Sequence, residues 1–296
     1  MIQEISNTPD NTVAERSLPT FLKAIKFEHT LFALPFAYLT LFLVEEGLPS
    51  LSSFLWITLA MVGARTFAMG INRIIDADGD IRNPRTKGRP IASGALSRSK
   101  ALAFSLLALL IFVVATLQLA EICRYFMPAV VIPMVIYPYM KRFTWTCHLF
   151  LGLVYLMVPP AVWLAVSGEL ILGAVVVGIG AALWVAGFDI IYATQDIDSD
   201  HDEGMHSIVA DFGLGNGLFV ARVFHLLTVV ALVVAGAILG VGYLYYVGMV
   251  AMIVLLIYEH IIISPDDLSR VNEAFFTTNG IISVVFFGFV AADVLV

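Results

Sequence analysis

Two polar stretches, NRIIDADGD at 72–80 and YATQDIDSD at 192–200, each follow a long apolar run. Each stretch carries side chains four residues apart, a spacing that places them on one face of a helix. A charged group at membrane depth is costly and by default marks a functional site. Moving the first stretch by 120 positions superposes its polar positions on those of the second. We interpret this as a weak internal duplication that builds one site from both halves. The matched positions are Asn72, Asp76 and Asp80 with Tyr192, Asp196 and Asp200.

This set of oxygen ligands favours a hard cation such as Mg²⁺, which typically uses one or two carboxylates and completes its shell with water and phosphate. Positive charges lie nearby in the sequence and could bind the remaining phosphate oxygens. Carboxylates, cations and a mouth within the membrane therefore suit a diphosphate that carries a lipid tail. The basic residues concerned are Arg73, Arg82, Arg85, Lys87, Arg89, Lys141 and Arg142.

Other residues of these helices have simpler interpretations. Met69 shares the stripe of the first acidic stretch and is interpreted as packing. Arg65, deeper in the same helix, either pairs with an acid such as Asp189 or lines the pocket. His225 and His260 are interpreted as isolated structural histidines. Four acids on the other helix faces are expected to be solvated: Asp78, Asp198, Asp202 and Glu203.

The composition identifies an integral membrane protein. The chain has 296 residues, of which 60% are hydrophobic and 13% charged, and its mean hydropathy is +0.93. Soluble proteins are about 45–50% apolar and about 25% charged. The net charge of −7 argues against a nucleic-acid partner. Cys123 and Cys147 match no disulfide framework or metal-ligand spacing. Residues 1–20 are expected to be a flexible polar tail, and residues 21–296 a single membrane domain.

The apolar runs predict an all-α protein of nine transmembrane helices in one bundle. The fourth span is short and rich in proline, and it can cross only if it is kinked and packed among its neighbours. The join between the seventh and eighth is the least distinct. The predicted spans are 29–45, 51–73, 99–119, 125–140, 146–166, 170–192, 216–239, 242–263 and 274–296.

The basic residues predict the orientation of this bundle. Loops on one side carry nearly all Lys and Arg next to span ends, whereas the opposite side has only Arg124. Because cytoplasmic loops are enriched in Lys and Arg, the N-terminus is expected in the cytoplasm. Both acidic stretches then face the cytoplasm, in a membrane that is expected to be the bacterial inner membrane.

Four stretches together resemble the UbiA superfamily of intramembrane prenyltransferases. They are KFEHTLFALPFA (26–37), GARTFAMGINRIIDADGDIRNPRT (63–86), YPYMKRFTWTCHLFLG (137–152) and DIIYATQDIDSD (189–200). The resemblance extends over nearly the whole chain from about residue 20. It is greatest to the branch of 4-hydroxybenzoate polyprenyltransferases, with their relatives thought to prenylate a naphthoate.

This resemblance implies a site for two Mg²⁺ ions that bridge the diphosphate of a polyprenyl donor. Asn72, Asp76 and Asp80 would bind one ion, and Asp196 and Asp200 the other. Two cations would neutralise the leaving group and promote ionisation of the allylic C–O bond. The apolar bundle would shield the resulting cation from water while the hydroxyaryl ring attacks it.

The resemblance also implies roles for residues around the metals. Arg142, with Lys141 beside it, would pair with an aromatic carboxylate or a phosphate. Asp189 and Tyr192 would support the second metal or take the ring proton. Lys26 is a lesser candidate for the same anions, and Arg65 and Asn72 are further candidates for substrate binding.

The resulting prediction is an enzyme that transfers a polyprenyl group to an aromatic acid in ubiquinone or menaquinone biosynthesis. The acceptor stays open between 4-hydroxybenzoate and 1,4-dihydroxy-6-naphthoate of the futalosine-type menaquinone route, partly because His201, Asp202 and Glu203 replace the basic residues common in relatives. Another acceptor, such as a glycerophospholipid precursor or haem, is less favoured. From another class of protein, the alternative is an ion-coupled transporter. No obligate protein partner is expected.

Overall fold

A computed structural model describes residues 17–27 and 30–296, which are helical apart from connecting loops and one isolated bridge between Ser264 and Asp267. A 3₁₀ turn lies at Thr194–Asp196 and a π-helical turn at Glu273–Thr278. The helices are α1 Ser17–Ala24, α2 Thr30–Glu45, α3 Leu51–Ile75, α4 Ala77–Arg82, α5 Arg98–Leu117, α6 Cys123–Met140, α7 Cys147–Leu156, α8 Val158–Ser167, α9 Leu172–Ala193, α10 Ile197–Glu203, α11 Ile208–Phe212, α12 Leu214–Leu239, α13 Tyr243–Ile261 and α14 Asn279–Leu295.

Helices occupy the described part of all nine predicted spans. Within the described residues, seven helical stretches are long and apolar enough to cross a membrane, so the protein is an integral membrane protein. The apolar helix of the first span is shorter, Leu34–Glu45. Helix α6 contains Pro128, Pro133 and Pro138. The indistinct join between the seventh and eighth spans is a sharp break at Gly240, which has a left-handed backbone. A count of nine crossings stays a prediction.

The N-terminal boundary differs from the expectation. Residues 1–16 of the expected tail lie outside the described residues, whereas residues 17–20 form the start of α1. Burial explains this helix, because Phe21 and Ile25 pack in a core cluster with Ala77 and Leu96. The first helix is therefore attached to the region that follows the first acidic stretch.

Close helix contacts hold the two helices that carry the acidic stretches. Helix α9 lies in the centre of the bundle and packs against α7 and α12. A Cβ atom added at Gly152 of α7 would lie 2.7 Å from the Ala182 carbonyl oxygen, and one at Gly178 of α9 would lie 2.3 Å from that of Leu156. Helix α3 approaches α5 as closely, because a Cβ at Gly63 would lie 2.8 Å from the Ala108 carbonyl oxygen. Glycine at these contacts lets the backbones touch.

Each acidic stretch continues the helix that precedes it with a small change of geometry. The Asp76 N–H donates to the Asn72 carbonyl, and the Asp80 N–H donates to the Asp76 carbonyl, so helical pairing continues from α3 into α4. After α9, the 3₁₀ turn precedes α10. The polar residues of each stretch therefore stay near one face, as the spacing predicts.

Candidate active site

Both acidic stretches line one cavity of about 350 Å³. Asn83 spans the gap between the two halves, because its Nδ2 donates to Asp196 Oδ1 at 2.9 Å. Of the basic residues expected near the phosphate, Arg73, Arg85 and Arg89 border this cavity, whereas Arg82 and Lys87 do not. The side chains predicted as metal ligands, substrate contacts or catalytic groups all border it. These residues are Lys26, Arg65, Asn72, Asp76, Asp80, Lys141, Arg142, Asp189, Tyr192, Asp196 and Asp200.

Two carboxylates of the first stretch, Asp76 and Asp80, are buried and lie against basic side chains. Asp76 and Asp80 are each only 7% exposed. Lys141 Nζ lies 2.9 Å from Asp76 Oδ1, and Arg89 Nη1 donates to Asp80 Oδ1 at 2.6 Å. The Asn72 amide donates to the other oxygen of Asp76 at 3.3 Å. This charge pairing offsets part of the cost of burying the two acids.

The second stretch is paired with the basic segment that follows the first. Arg85 forms a two-pronged contact with the Asp196 carboxylate, with Nε 2.9 Å from Oδ1 and Nη2 against Oδ2. Its Nη1 also donates to the Tyr192 hydroxyl at 2.9 Å. Burial is the largest single influence and disfavours the charged guanidinium, but the hydrogen bonds and charge interactions with Asp196 and Tyr192 together outweigh it and raise the pKa of Arg85. A strong ion pair therefore joins the two halves of the site.

The residues around the cavity fit a divalent metal bound together with a diphosphate. Among the described residues, no three His, Cys, Asp or Glu side chains converge on one point as a complete metal cage. Mg²⁺ does not need such a cage, since it keeps several water or phosphate ligands. Asp76 Oδ1 is buried and accepts no hydrogen bond among the described residues, although Lys141 Nζ lies 2.9 Å away in an ion pair. An additional cation at this oxygen would satisfy it.

His148 is a cavity residue that sequence reasoning missed. Its Nδ1 lies 2.7 Å from Asp189 Oδ2, so this histidine is a partner of Asp189. His148 is 2% exposed, and its Nε2 has no hydrogen-bond partner among the described residues. His148 lies in the stretch 137–152 that carries the family resemblance, which was the one available signal.

The interpretation of Glu203 as a solvated acid is wrong. Its side chain is only 12% exposed and accepts a hydrogen bond from Arg82 at 3.1 Å. Gly79 makes room for it, because a Cβ there would lie 3.0 Å from Glu203 Oε2. Asp78 matches its interpretation, since its side chain is 67% exposed and pairs with Arg98. The hydrogen bond from Arg98 lowers the pKa of Asp78.

Arg142 and Lys26 approach the cavity from other elements. Arg142 Nη2 donates to the Ile75 carbonyl at 3.0 Å, and its guanidinium lies 5.5 Å from the Tyr139 ring centroid. Lys26 Nζ lies 4.3 Å from the centroid of Phe276. Arg142 therefore contacts the end of α3, and Lys26 lies beside the π-helical turn.

A second cavity of about 360 Å³ adjoins the first and is lined almost entirely by apolar side chains. It extends past Phe112 and Met134 to Cys123 at the start of α6 and to Leu170 just before α9. These ends of α6 and α9 lie away from the acidic stretches. Met69, interpreted as packing, lies at the junction. The residues that border both cavities are Arg65, Met69, Tyr137, Leu151 and Tyr155. A polar head and a long apolar tail can therefore be accommodated together.

A family comparison identifies this arrangement. The UbiA prenyltransferase family model matches residues 33–281. The chain belongs to the UbiA prenyltransferase family. The resemblance seen in the sequence is confirmed, and so is the expectation of a prenyltransferase enzyme. Membership in this family disfavours the ion-coupled transporter.

Individual members of the UbiA family are similar over most of their length. A 4-hydroxybenzoate octaprenyltransferase of Marinobacter nauticus is 31% identical over 252 residues, 85% of each chain. The solved apo structure of a UbiA homologue from Aeropyrum pernix K1 is 31% identical, with a TM-score of 0.82 over 91% of this chain and 99% of that one. An Archaeoglobus fulgidus homologue bound to GPP and Mg²⁺ shares the fold, at 20% identity and a TM-score of 0.73 over 93% and 99% of the two chains.

Proposed function

We propose that this UbiA-family enzyme transfers a polyprenyl group from polyprenyl diphosphate to a hydroxylated aromatic acid of the 4-hydroxybenzoate type. The observation that carries this proposal is the junction of a cavity rich in acids and bases with an apolar chamber. The names of the bacterial relatives support the acceptor class. The reaction belongs to ubiquinone or menaquinone biosynthesis, and 1,4-dihydroxy-6-naphthoate is the second acceptor to test.

The acids and bases have separate parts in this proposal. Two Mg²⁺ ions, when bound, would neutralise the diphosphate leaving group. Asn72, Asp76 and Asp80 would hold one ion, and Asp196 and Asp200 the other. Arg85, Arg89 and Lys141 would release their carboxylates and bind diphosphate oxygens. Each of these three basic side chains therefore has a carboxylate partner in the absence of substrate and a phosphate partner in its presence.

Other side chains would orient the two substrates and exclude water. The apolar chamber would bind the prenyl tail, so that the donor carbon lies at the junction of the cavities. As the allylic C–O bond breaks, a ring carbon of the acceptor forms a bond to that carbon. Asp189, held by His148, would take the ring proton, and Tyr192 would support the second metal site. Arg142 and Lys26 would bind the carboxylate of the acceptor, with Arg65 as a further anion contact.

The proposed topology has nine spans, with the N-terminus and both acidic stretches in the cytoplasm. The distribution of Lys and Arg supports this orientation. Diphosphate and aromatic acid would then reach the cavity from the cytoplasmic side of a bacterial inner membrane. Residues from α1 onward act as one membrane domain without an obligate protein partner.

A transfer assay with matched variants tests this function. Membranes with the protein, Mg²⁺ and a radiolabelled prenyl diphosphate should convert one member of a panel of aromatic acids into a labelled lipid. Asp76→Ala, Asp80→Ala, Asp196→Ala and Asp200→Ala should each abolish turnover. Asp78→Ala and Asp198→Ala remove exposed acids of the same helices, so they should retain it. A chelator should stop the reaction and Mg²⁺ restore it. Full activity in excess chelator would contradict the two-metal proposal.

A further inference from the structure

One wall of the active-site cavity has no part in the scheme above. It is formed by the middle of α9 and by the π-helical turn that begins the last span. Trp184, Phe188, Phe275 and Asn279 all border the cavity there. π-helical turns are rare and frequently occur at functional sites.

Asn279 carries a buried acceptor oxygen and borders the cavity at this wall. Its Nδ2 lies 2.9 Å from Glu259 Oε1, 2.9 Å from the Ala274 carbonyl oxygen and 3.3 Å from that of Phe275. These three acceptors occupy both amide hydrogens and fix the orientation of the amide, since the reverse orientation would direct Oδ1 at other oxygens. Asn279 is only 3% exposed, and Oδ1 has no hydrogen-bond partner among the described residues. A buried acceptor without a partner costs about 1–3 kcal/mol.

A buried polar network holds Asn279 in place. Glu259 is fully buried, and its second carboxyl oxygen lies 3.9 Å from His225 Nδ1. His225 in turn bonds His260 at 2.9 Å and the Trp184 carbonyl at 3.2 Å. The interpretation of the two histidines as isolated is therefore wrong. Asn279 is therefore bonded to α13 through Glu259, and the two histidines join α13 to α12 and α9.

The surroundings of Asn279 match an aromatic hydroxyl group. Phe188 and Phe275 pack edge to face with centroids 5.2 Å apart, and Trp184 packs edge to face on Phe188 at 5.1 Å. Trp184 Nε1 is a buried donor without a hydrogen-bond partner among the described residues. The wall therefore offers an acceptor, a donor and aromatic faces. A hydroxyl both donates and accepts, whereas a carboxylate would be repelled by the Asn279 oxygen.

We propose that Asn279 determines acceptor specificity by accepting a hydrogen bond from the ring hydroxyl of the aromatic acid. The inference rests on the proposed function and adds to it the residue that recognises the hydroxyl end. The carboxylate then points away from this wall, toward the basic side chains of the cavity. An aromatic acid without the hydroxyl cannot form this bond.

Equilibrium binding of two ligands to the purified protein tests the proposal without turnover. The probes are 4-hydroxybenzoate and benzoate, titrated calorimetrically against the wild type and Asn279→Leu. The variant should bind 4-hydroxybenzoate about ten- to a hundredfold more weakly, as expected for a lost buried hydrogen bond, and benzoate no more weakly than the wild type does. In Glu259→Gln an acceptor for the Asn279 amide remains, so this variant should keep the preference for the hydroxylated ligand.

Ser283→Ala is the matched control, because it removes a buried polar group one helical turn further along α14. It should lower thermal stability without changing the ratio of the two affinities. Equal weakening of both ligands in Asn279→Leu would show a structural role only and overturn the inference. If Asn279→Leu does not fold, Asn279→Ala is titrated instead. Loss of the preference for 4-hydroxybenzoate in Asn279→Ala would support the inference, and retention of that preference would overturn it. Failure of the wild type to bind either acid would overturn the proposed acceptor class, and the inference with it.

Discussion

At the scale of single residues, cations already occupy the carboxylates that the metals would need. Lys141 lies against Asp76, and Arg89 donates to Asp80. These ion pairs lower the cost of two buried acids in the absence of metal. Binding of metal and diphosphate would then exchange partners, so that the lysine and arginine move from carboxylate to phosphate while remaining paired.

Arg142 allows a prediction about substrate discrimination. Its bond to the Ile75 carbonyl uses only one of five N–H donors, so the planar fork has others to offer a carboxylate. Arg142→Ala should raise the KM of the aromatic acid about ten- to a hundredfold, since a charge-assisted contact is worth about 1.5–3 kcal/mol. The KM of the donor should change much less in steady-state kinetics. Arg98→Ala, which removes an exposed arginine outside the cavity, is the control. Weakened binding of the donor alone would assign Arg142 to the diphosphate.

At the scale of elements, the segment 83–97 between α4 and α5, here called the strap, contacts both halves of the site. Arg85 and Asn83 both reach Asp196, more than a hundred positions away in the chain. Arg89 contacts Asp80 from the same segment. This basic loop therefore supplies side chains to the cavity, as the sequence predicts for Arg85 and Arg89.

Arg85 of this segment is expected to oppose metal binding but to favour binding of the prenyl donor. Arg85 competes with a cation for Asp196, yet it would bind the diphosphate once that cation is present. Arg85→Ala should therefore raise the donor KM about tenfold while leaving Mn²⁺ binding without donor as tight as in the wild type, or tighter. Paramagnetic titration of Mn²⁺ measures the second quantity. Lys87→Ala, an exposed neighbour, should change neither. Weaker Mn²⁺ binding in Arg85→Ala would mean that Arg85 positions Asp196 instead.

The contact between α7 and α9 gives a prediction about stability. A methyl group at Gly152 would lie 2.7 Å from a backbone oxygen of α9. Because the close atom belongs to the backbone, a side-chain movement cannot relieve the contact. Gly152→Ala should lower the free energy of unfolding by about 1–3 kcal/mol, the usual cost of overpacking. Gly215→Ala, in an open position of α12, should be neutral or slightly stabilising because alanine favours helix. Thermal unfolding in detergent measures both, and equal melting temperatures would show that the two helices can separate without cost.

At the scale of the whole molecule, the site requires both acidic stretches at one face of the bundle. The contacts between Asn83 and Asp196 and between Arg82 and Glu203 place them there. The distribution of basic residues predicts that this face lies in the cytoplasm. The apolar chamber then extends from this face into the bundle, where a prenyl tail is shielded from water.

Single cysteines test the orientation in a background with Cys123→Ser and Cys147→Ser. Ser93→Cys and Asp202→Cys place a thiol at exposed positions beside the two acidic stretches, and Ser167→Cys places one at the exposed end of α8. A membrane-impermeant thiol reagent should label the first two only from the cytoplasmic side. It should label the third only from outside. Labelling of the first two from opposite sides would be incompatible with a site shared by both stretches.

The sequence by itself determined the chemistry and the class of fold. Carboxylates spaced by four and long apolar runs are local patterns, and a charge at membrane depth is costly and by default marks a functional site. The residues predicted as metal ligands border one cavity, although their roles stay a prediction. The exposed Asp78 was also readable locally, whereas the join between α12 and α13 was the least distinct in the sequence and only the structure places its break at Gly240.

Only the tertiary structure decided which side chains pair with one another. His148 with Asp189, Arg82 with Glu203, and Asn279 with Glu259 are contacts between helices. Periodicity predicts the face that a residue occupies but not the neighbour that faces it, because that neighbour depends on how closely glycine lets two backbones approach. The aromatic wall around Asn279 arises in this way, from a π-helical turn and a central helix that no local pattern connects.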